Sequence, residues 1–157
     1  MLIRRVQGFT LVELVSILLL IAILSVVAVD QWPGSDINLS AQADQLLNDI
    51  RYTQSLAMNR GQRYRINFAV DHYWITNIDG TVTYPFPING ASELTLNSGI
   101  TLSTTDSFLV FDGNGVPYTT ATSPGTPLAI DAVITLSADG TTNTLTISPE
   151  TGRVLKS

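Results

Sequence analysis

Glu13 is the residue whose surroundings call for a chemical explanation. It is the single charge in Phe9–Val29, FTLVELVSILLLIAILSVVAV, where the other polar side chains are the hydroxyls of Thr10, Ser16 and Ser25. An ionised group in a membrane helix costs about 2.5–3.5 kcal/mol near the centre on insertion scales, and less near an interface. Such residues usually have a partner and a role. No basic residue within the run can neutralise Glu13. A cut before Phe9 would create a new α-amine, and that cation could meet Glu13 of the same or a neighbouring helix in an apolar bundle. The pair would neutralise two costly charges and fix one helix's axial position against the next.

Other chemistry finds less support. His72 is the only histidine, so a two-histidine metal motif is excluded. It sits between Asp71 and Tyr73 with no Gly-x-Ser-x-Gly elbow in the chain, and reads as a surface turn histidine rather than a triad member. Asp112-Gly113-Asn114-Gly115 offers oxygen atoms at suggestive spacing but lacks the remaining ligands of a calcium loop, the terminal Glu above all, so it reads as a hairpin turn. With no cysteine, disulfides, thiol catalysis and thiolate metal sites are excluded. We therefore expect no enzyme activity, no metal and no cofactor.

Arg51, Arg60, Arg63 and Arg65 fall within fifteen positions, and Arg153 and Lys156 lie near the C-terminus. Arg63, Arg65, Arg153 and Lys156 are candidate nucleic-acid contacts. Against this, Arg60 suits the negative end of a helix dipole, and Arg63 and Arg65 suit a solvated strand face. On a strand, Arg153 and Lys156 would point to opposite faces. The formal charge is −5, and loss of Arg4 and Arg5 would leave 6 basic against 13 acidic residues, or −7. An acidic body disfavours non-specific binding to nucleic acid or anionic lipid.

These residues must be positioned by a small set of elements. At 1.5 Å per residue the 21-residue apolar run makes a helix of roughly 30 Å, enough to cross a bilayer. Arg4 and Arg5 before it, and Asp30 and Asp36 after it, orient the N-terminus to the cytoplasm. A secretory signal peptide would have a shorter apolar region without an acid, cut near Ser25–Ala28. A plain membrane anchor explains the length but not Glu13, and a buried core helix explains neither. Trp32 suits an interfacial anchor, and Pro33-Gly34 predicts a kink or break.

Beyond it, Ser35 or Asp36 caps an amphipathic helix whose apolar positions are Leu39, Ala43, Leu46, Leu47, Ile50, Leu56 and Ala57, with Gly61 as its stop. Strands are then expected at Tyr64–Val70, His72–Ile78, Thr81–Tyr84, Leu94–Leu102, Phe108–Phe111, Leu128–Leu136, Thr144–Ser148 and Arg153–Leu155. Asp79-Gly80, Asp112-Gly113 and Asp139-Gly140 punctuate them, and Thr119–Pro127 is a surface loop. The fold class is α+β: a long N-terminal helix, transmembrane in its first half, packed on a small antiparallel β-sheet domain. The segments are 1–8, a leader; 9–29, the apolar helix; 30–61, its amphipathic continuation; and 62–157, the β-rich domain.

Gly8-Phe9-Thr10-Leu11-Val12-Glu13, behind a short basic leader and ahead of a long apolar run, resembles the prepilin cleavage motif of type IV pilins and type II secretion pseudopilins. The first proline, Pro33, falls slightly later than that family's helix-perturbing proline. The resemblance implies that prepilin peptidase cuts between Gly8 and Phe9 and N-methylates Phe9. It also implies that Glu13 contacts the N-terminus of an adjacent subunit. Residues Ala43–Tyr52, Ala57–Gly61 and the terminal Gly152-Arg153-Val154 are similar to GspH/FimT-like pseudopilins and minor pilins. The implied partners are other pilin or pseudopilin subunits, the peptidase, an inner-membrane assembly platform and the membrane. The implied location is the inner membrane with a periplasmic domain, then a pilus or pseudopilus, where a low-abundance member of this kind would sit near the tip. Some FimT-like minor pilins bind DNA through a terminal Gly-Arg-x-Arg, whereas here the second basic position is Leu155. A DNA-binding minor pilin and a membrane-anchored periplasmic enzyme or adhesin are the alternatives.

Overall fold

The computed structural model describes residues 10–29, 34–120 and 125–157, without the side chains of 24–29, 34 and 35. It divides into two compact units, Met1–Gly34 and Ser35–Ser157. Gly8, Phe9, Trp32 and Pro33 lie outside the described residues, and with them the expected cleavage point, interfacial anchor and kink.

In the first unit, helix α1 spans Leu11–Val29. Thr10 caps it: its carbonyl accepts the N–H groups of Glu13 and Leu14 at 3.1 Å each, and its hydroxyl oxygen accepts the Glu13 N–H at 3.3 Å. Glu13 lies in the first turn, at the Thr-x-x-Glu spacing of a capping box, where the helix dipole favours an acid. Ser16 Oγ donates back to the Val12 carbonyl at 2.8 Å, so its polar atom is satisfied along an apolar helix. Every described side chain from Thr10 to Ile23 is exposed. Among the described residues, no helix is long and apolar enough to cross a membrane. The 9–29 span expected from the sequence extends past Ile23, where the described side chains of α1 stop.

In the second unit, helix α2 runs Gly34–Arg60. Leu39, Ala43, Leu46, Ile50 and Ala57 are fully buried, while Leu47 and Leu56 lie at the margin of the same stripe. Asp44, Asn48, Arg51 and Asn59 are exposed, as the helical spacing predicts. Gly61 ends the helix at φ +61°, and the Gln62 N–H returns to the Ala57 carbonyl, a Schellman closure.

The rest is antiparallel sheet in two pieces. One contains β1 (Tyr64–Phe68), β2 (His72–Asn77), β3 (Thr83–Tyr84), β4 (Leu94–Thr95), β6 (Phe108–Phe111) and β7 (Pro117–Tyr118), in the order β3-β2-β1-β6-β7 with β4 also on β2. The other is β10-β9-β8-β5, built from β5 (Thr101–Thr104), β8 (Ala132–Ala138), β9 (Thr141–Ile147) and β10 (Val154–Lys156). One apolar core joins the α2 stripe to the inward residues of both sheets, among them Tyr64, Ile66, Tyr73, Ile75 and Phe111 of the first and Ile134, Leu136, Leu145 and Ile147 of the second.

Several strand boundaries differ from those expected. The run Leu94–Leu102 is two strands in different sheets, because Asn97-Ser98-Gly99 turns between them with Gly99 at φ +87°. The run expected to start at Leu128 starts at Ala132, and Pro127 makes only an isolated bridge to Tyr118. β9 begins three residues early because Asp139 (φ 48°) and Gly140 (φ 82°) form a tight two-residue turn with both φ angles positive. β1 stops at Phe68, leaving Val70 exposed, and β7 has no counterpart among the expected strands.

Candidate functional site

The sequence points to α1 as the working element. Its described side chains are apolar on nearly every side, with Leu11 79% and Leu20 61% exposed. A helix of that kind, bare in the single chain, needs a lipid or protein cover. Glu13 stands where that cover would begin, one turn from the cap.

The basic residues separate into different places. Arg65, on β1, and Arg63, just before it, lie on the outer face of the β3-β2-β1-β6-β7 sheet. The Arg65 guanidinium carbon is 4.1 Å from the Phe108 ring centroid and that of Arg63 is 4.4 Å from the Tyr118 centroid. Arg65 Nε also donates to Asn67 Oδ1. Burial lowers the Arg65 pKa from its ordinary value. Lys156, by contrast, belongs to the other sheet and is tied down. Its Nζ donates to the Ser40 carbonyl, Ser40 Oγ and Asp44 Oδ1 at 3.0, 2.8 and 2.9 Å. Arg153 is exposed in the turn before β10. The four candidate contacts thus do not form one patch; Arg63 and Arg65 do.

His72 and the Asp112 turn have structural roles. His72 lies in β2 and not in a turn; its Nδ1 is 2.7 Å from Asp71 Oδ1 and its ring stacks on Trp74 at 5.1 Å. The Asp71 contact holds that exposed carboxyl below its ordinary range. Asp112 Oδ1 accepts the N–H groups of Asn114 and Val116 at 2.9 Å each, which closes the β6–β7 turn and uses the oxygen a cation would need. Among the described residues, no group of three His, Cys, Asp or Glu is arranged to hold a metal ion.

One buried polar residue is not singled out by the sequence. Asp49 is 5% exposed and accepts the Tyr73 hydroxyl proton at 2.7 Å. Burial raises its pKa and the Tyr73 bond partly offsets that; burial and the same contact push Tyr73 well above the ordinary tyrosine range. Thr53, also buried, donates to the Asp49 carbonyl at 2.8 Å. A signal exists in the spacing: positions 49 and 53 fall on the same stripe as Leu46, Ile50 and Ala57.

Residues 42–155 match the family model described as type II transport protein GspH. The chain belongs to this family. Competence protein ComGD of Bacillus subtilis (strain 168) is 34% identical over 90 residues, which is 56% of this chain and 63% of that protein. The match therefore spans somewhat less than two thirds of the length of that relative. Among solved structures, the type IV minor pilin FimU of Pseudomonas aeruginosa is similar with a TM-score of 0.57 at 17% identity, covering 76% of this chain and 87% of that one. The minor pseudopilin EpsH of the Vibrio cholerae type 2 secretion system has the same TM-score at 12% identity, covering 76% and 96%. At these identities the structural likeness speaks for the fold. It bears out the pilin-like α+β architecture, with a helix laid on antiparallel sheets. GspH-family membership, with these likenesses, places the chain in the type IV pilin and pseudopilin superfamily.

Proposed function

We propose that this GspH-family chain is a minor pilin or pseudopilin, made as an inner-membrane precursor and built into a type IV pilus or type II secretion pseudopilus near its tip. Prepilin peptidase cuts between Gly8 and Phe9 and methylates the new N-terminus. An assembly platform then lifts the subunit out of the membrane, and α1 packs against its neighbours. The observation that carries this is the bare apolar surface of Leu11–Ile23, led by a capped first turn that holds Glu13. Lipid covers that surface before assembly and other helices cover it afterwards. The cap alone gives Glu13 a local reason to exist, so its assembly role needs its own test.

Mass spectrometry of the mature chain should find methylated Phe9 as its first residue. An N-terminus near Ala28, or an uncut chain, would overturn the reading. With cleavage intact, Glu13→Gln keeps the Thr-x-x-Glu/Gln spacing of a capping box but removes the charge, and filament or secretion yield should fall at least tenfold. Yield at the wild-type level would show that Glu13 serves only the helix. A second reading, DNA capture, is favoured by the likeness to a protein described as a competence protein.

A further inference from the structure

A cleft of about 540 Å³ lies between α2 and the loop 85–91. The helix lines it with a row at helical spacing, including Ala41, Gln45, Asn48, Asp49 and Tyr52, and the loop contributes Pro87 and Ile88. The loop wall is fixed in place. Phe86 is 1% exposed and packs edge-on against Tyr73, with 5.4 Å between ring centroids. The Phe86 N–H donates to the Ala91 carbonyl and the Gly90 N–H to the Phe86 carbonyl, both at 2.9 Å. Tyr73 thus braces the loop with its ring and Asp49 with its hydroxyl.

Asp49 is the anomaly in this cleft. Its Oδ2 accepts from Tyr73, but its Oδ1 has no hydrogen-bond partner among the described residues. No side-chain oxygen among them is both sealed from the surface and unpartnered, so Oδ1 opens onto the cleft that Asp49 lines. A carboxylate so far buried is costly unless a counter-charge meets it. None of the residues lining the cleft is basic. The side-chain amides of Gln45 and Asn48 also make no hydrogen bond to another described residue. Apolar walls with a few placed polar groups are the make-up of a small-molecule site. A metal ion would find too few ligands, since no three acidic or imidazole side chains converge among the described residues.

We propose that this cleft binds a small organic amine, its ammonium donating to Asp49 Oδ1 and its apolar body lying between Tyr52 and the loop residues Pro87 and Ile88. The ammonium supplies the counter-charge that the domain withholds, and a charge-assisted hydrogen bond to a buried carboxylate is a strong one. Burial raises the Asp49 pKa, so the amine competes with a proton for the carboxylate. Binding therefore strengthens as pH rises through that raised value. Asp44 and Tyr52 on α2 and Tyr73 on β2 are the other titratable groups at the cleft, and residues 85–91 add none. Asp44 already accepts from Lys156. The inference is independent of filament assembly and of DNA capture.

The test follows NMR shifts of the full chain in non-ionic detergent micelles during titration with phenethylamine, an ammonium at neutral pH. Shifts should concentrate on Tyr52, Ile88 and Gly90 and saturate with a dissociation constant on the order of 1 mM. Phenylethanol, of similar shape without the charge, should bind roughly tenfold more weakly. Asp49→Asn should lose roughly tenfold in affinity for the amine, together with the pH dependence. Ile88→Ala, at an exposed position, should lose about threefold with an unchanged thermal transition. Val133→Ala, on the other sheet, should leave binding as it is. Should Asp49→Asn fail to fold, the wild-type pH profile and Ile88→Ala decide the matter. Equal affinity for the alcohol and the amine, or binding indifferent to pH and to both cleft variants, would overturn the proposal. So would shifts confined to α1, as partition into detergent would give, or no shift at all.

Discussion

Asp49 shows how a single side chain can set a pH response. The folded chain holds its proton more tightly than the unfolded chain does, because burial outweighs the Tyr73 bond. Stability from this group is therefore fullest below its ordinary pKa of 3.8 and is lost as pH rises through the raised folded value. Asp49→Asn keeps an acceptor for Tyr73 without the charge. Urea unfolding of the two proteins should show wild type losing ground to the variant as pH climbs through that window; parallel pH curves would refute the assignment. Gly152 is a second pressure point. It sits at φ +61°, and an added Cβ would fall 2.6 Å from Gln54 Nε2, 2.7 Å from the Gly115 carbonyl oxygen and 2.9 Å from Phe111. Gly152→Ala should cost about 2–4 kcal/mol through overpacking and strain, read as a lower urea midpoint with an unchanged m-value.

At the scale of elements, α2 is the organiser. Leu46 is fully buried on its inner stripe, so Leu46→Ala should destabilise the domain by about 2–5 kcal/mol in chemical denaturation. The half-exposed tie from Lys156 to Asp44 is a weaker hold, and Lys156→Met should cost less than about 1 kcal/mol. The helix itself is legible in the sequence because apolar residues keep the 3.6-residue period from Leu39 to Ile50 and resume it at Leu56 and Ala57, polar Thr53 filling the turn between, and Gly61 supplies the stop. The Tyr64–Phe68 and Phe108–Phe111 strands are legible for a similar reason, since each is bounded by turn residues. The pieces at Leu94–Thr95 and Pro117–Tyr118 are not, for two residues carry no period. Nor is the sheet assignment, which depends on pairings far apart in sequence, such as Thr101 with Ser137. The candidate sites follow the same division. Glu13 stands out because an acid in an apolar run is a local anomaly. The pairing of Arg65 with Phe108 and of Arg63 with Tyr118 is made by strand order, which no local spacing encodes.

Across the whole molecule, two kinds of surface divide the work. The bare helix α1 requires company, whereas the Ser35–Ser157 unit closes a core of its own. The GspH family match begins at residue 42 and so rests on the second of these.

Within that unit the two sheets share no strand ladder, and α2 supplies inward residues to both. Gln54 makes the dependence concrete, for its single amide nitrogen donates to the Gly115 carbonyl beside the first sheet at 2.9 Å and to the Thr151 carbonyl beside the second at 2.8 Å. Neither half can therefore melt on its own without stripping the other's roof. A cut within the buried stretch of α2, from Leu39 to Ala57, should not yield a stable remnant, and a pulling force transmitted down that helix would load both halves at once.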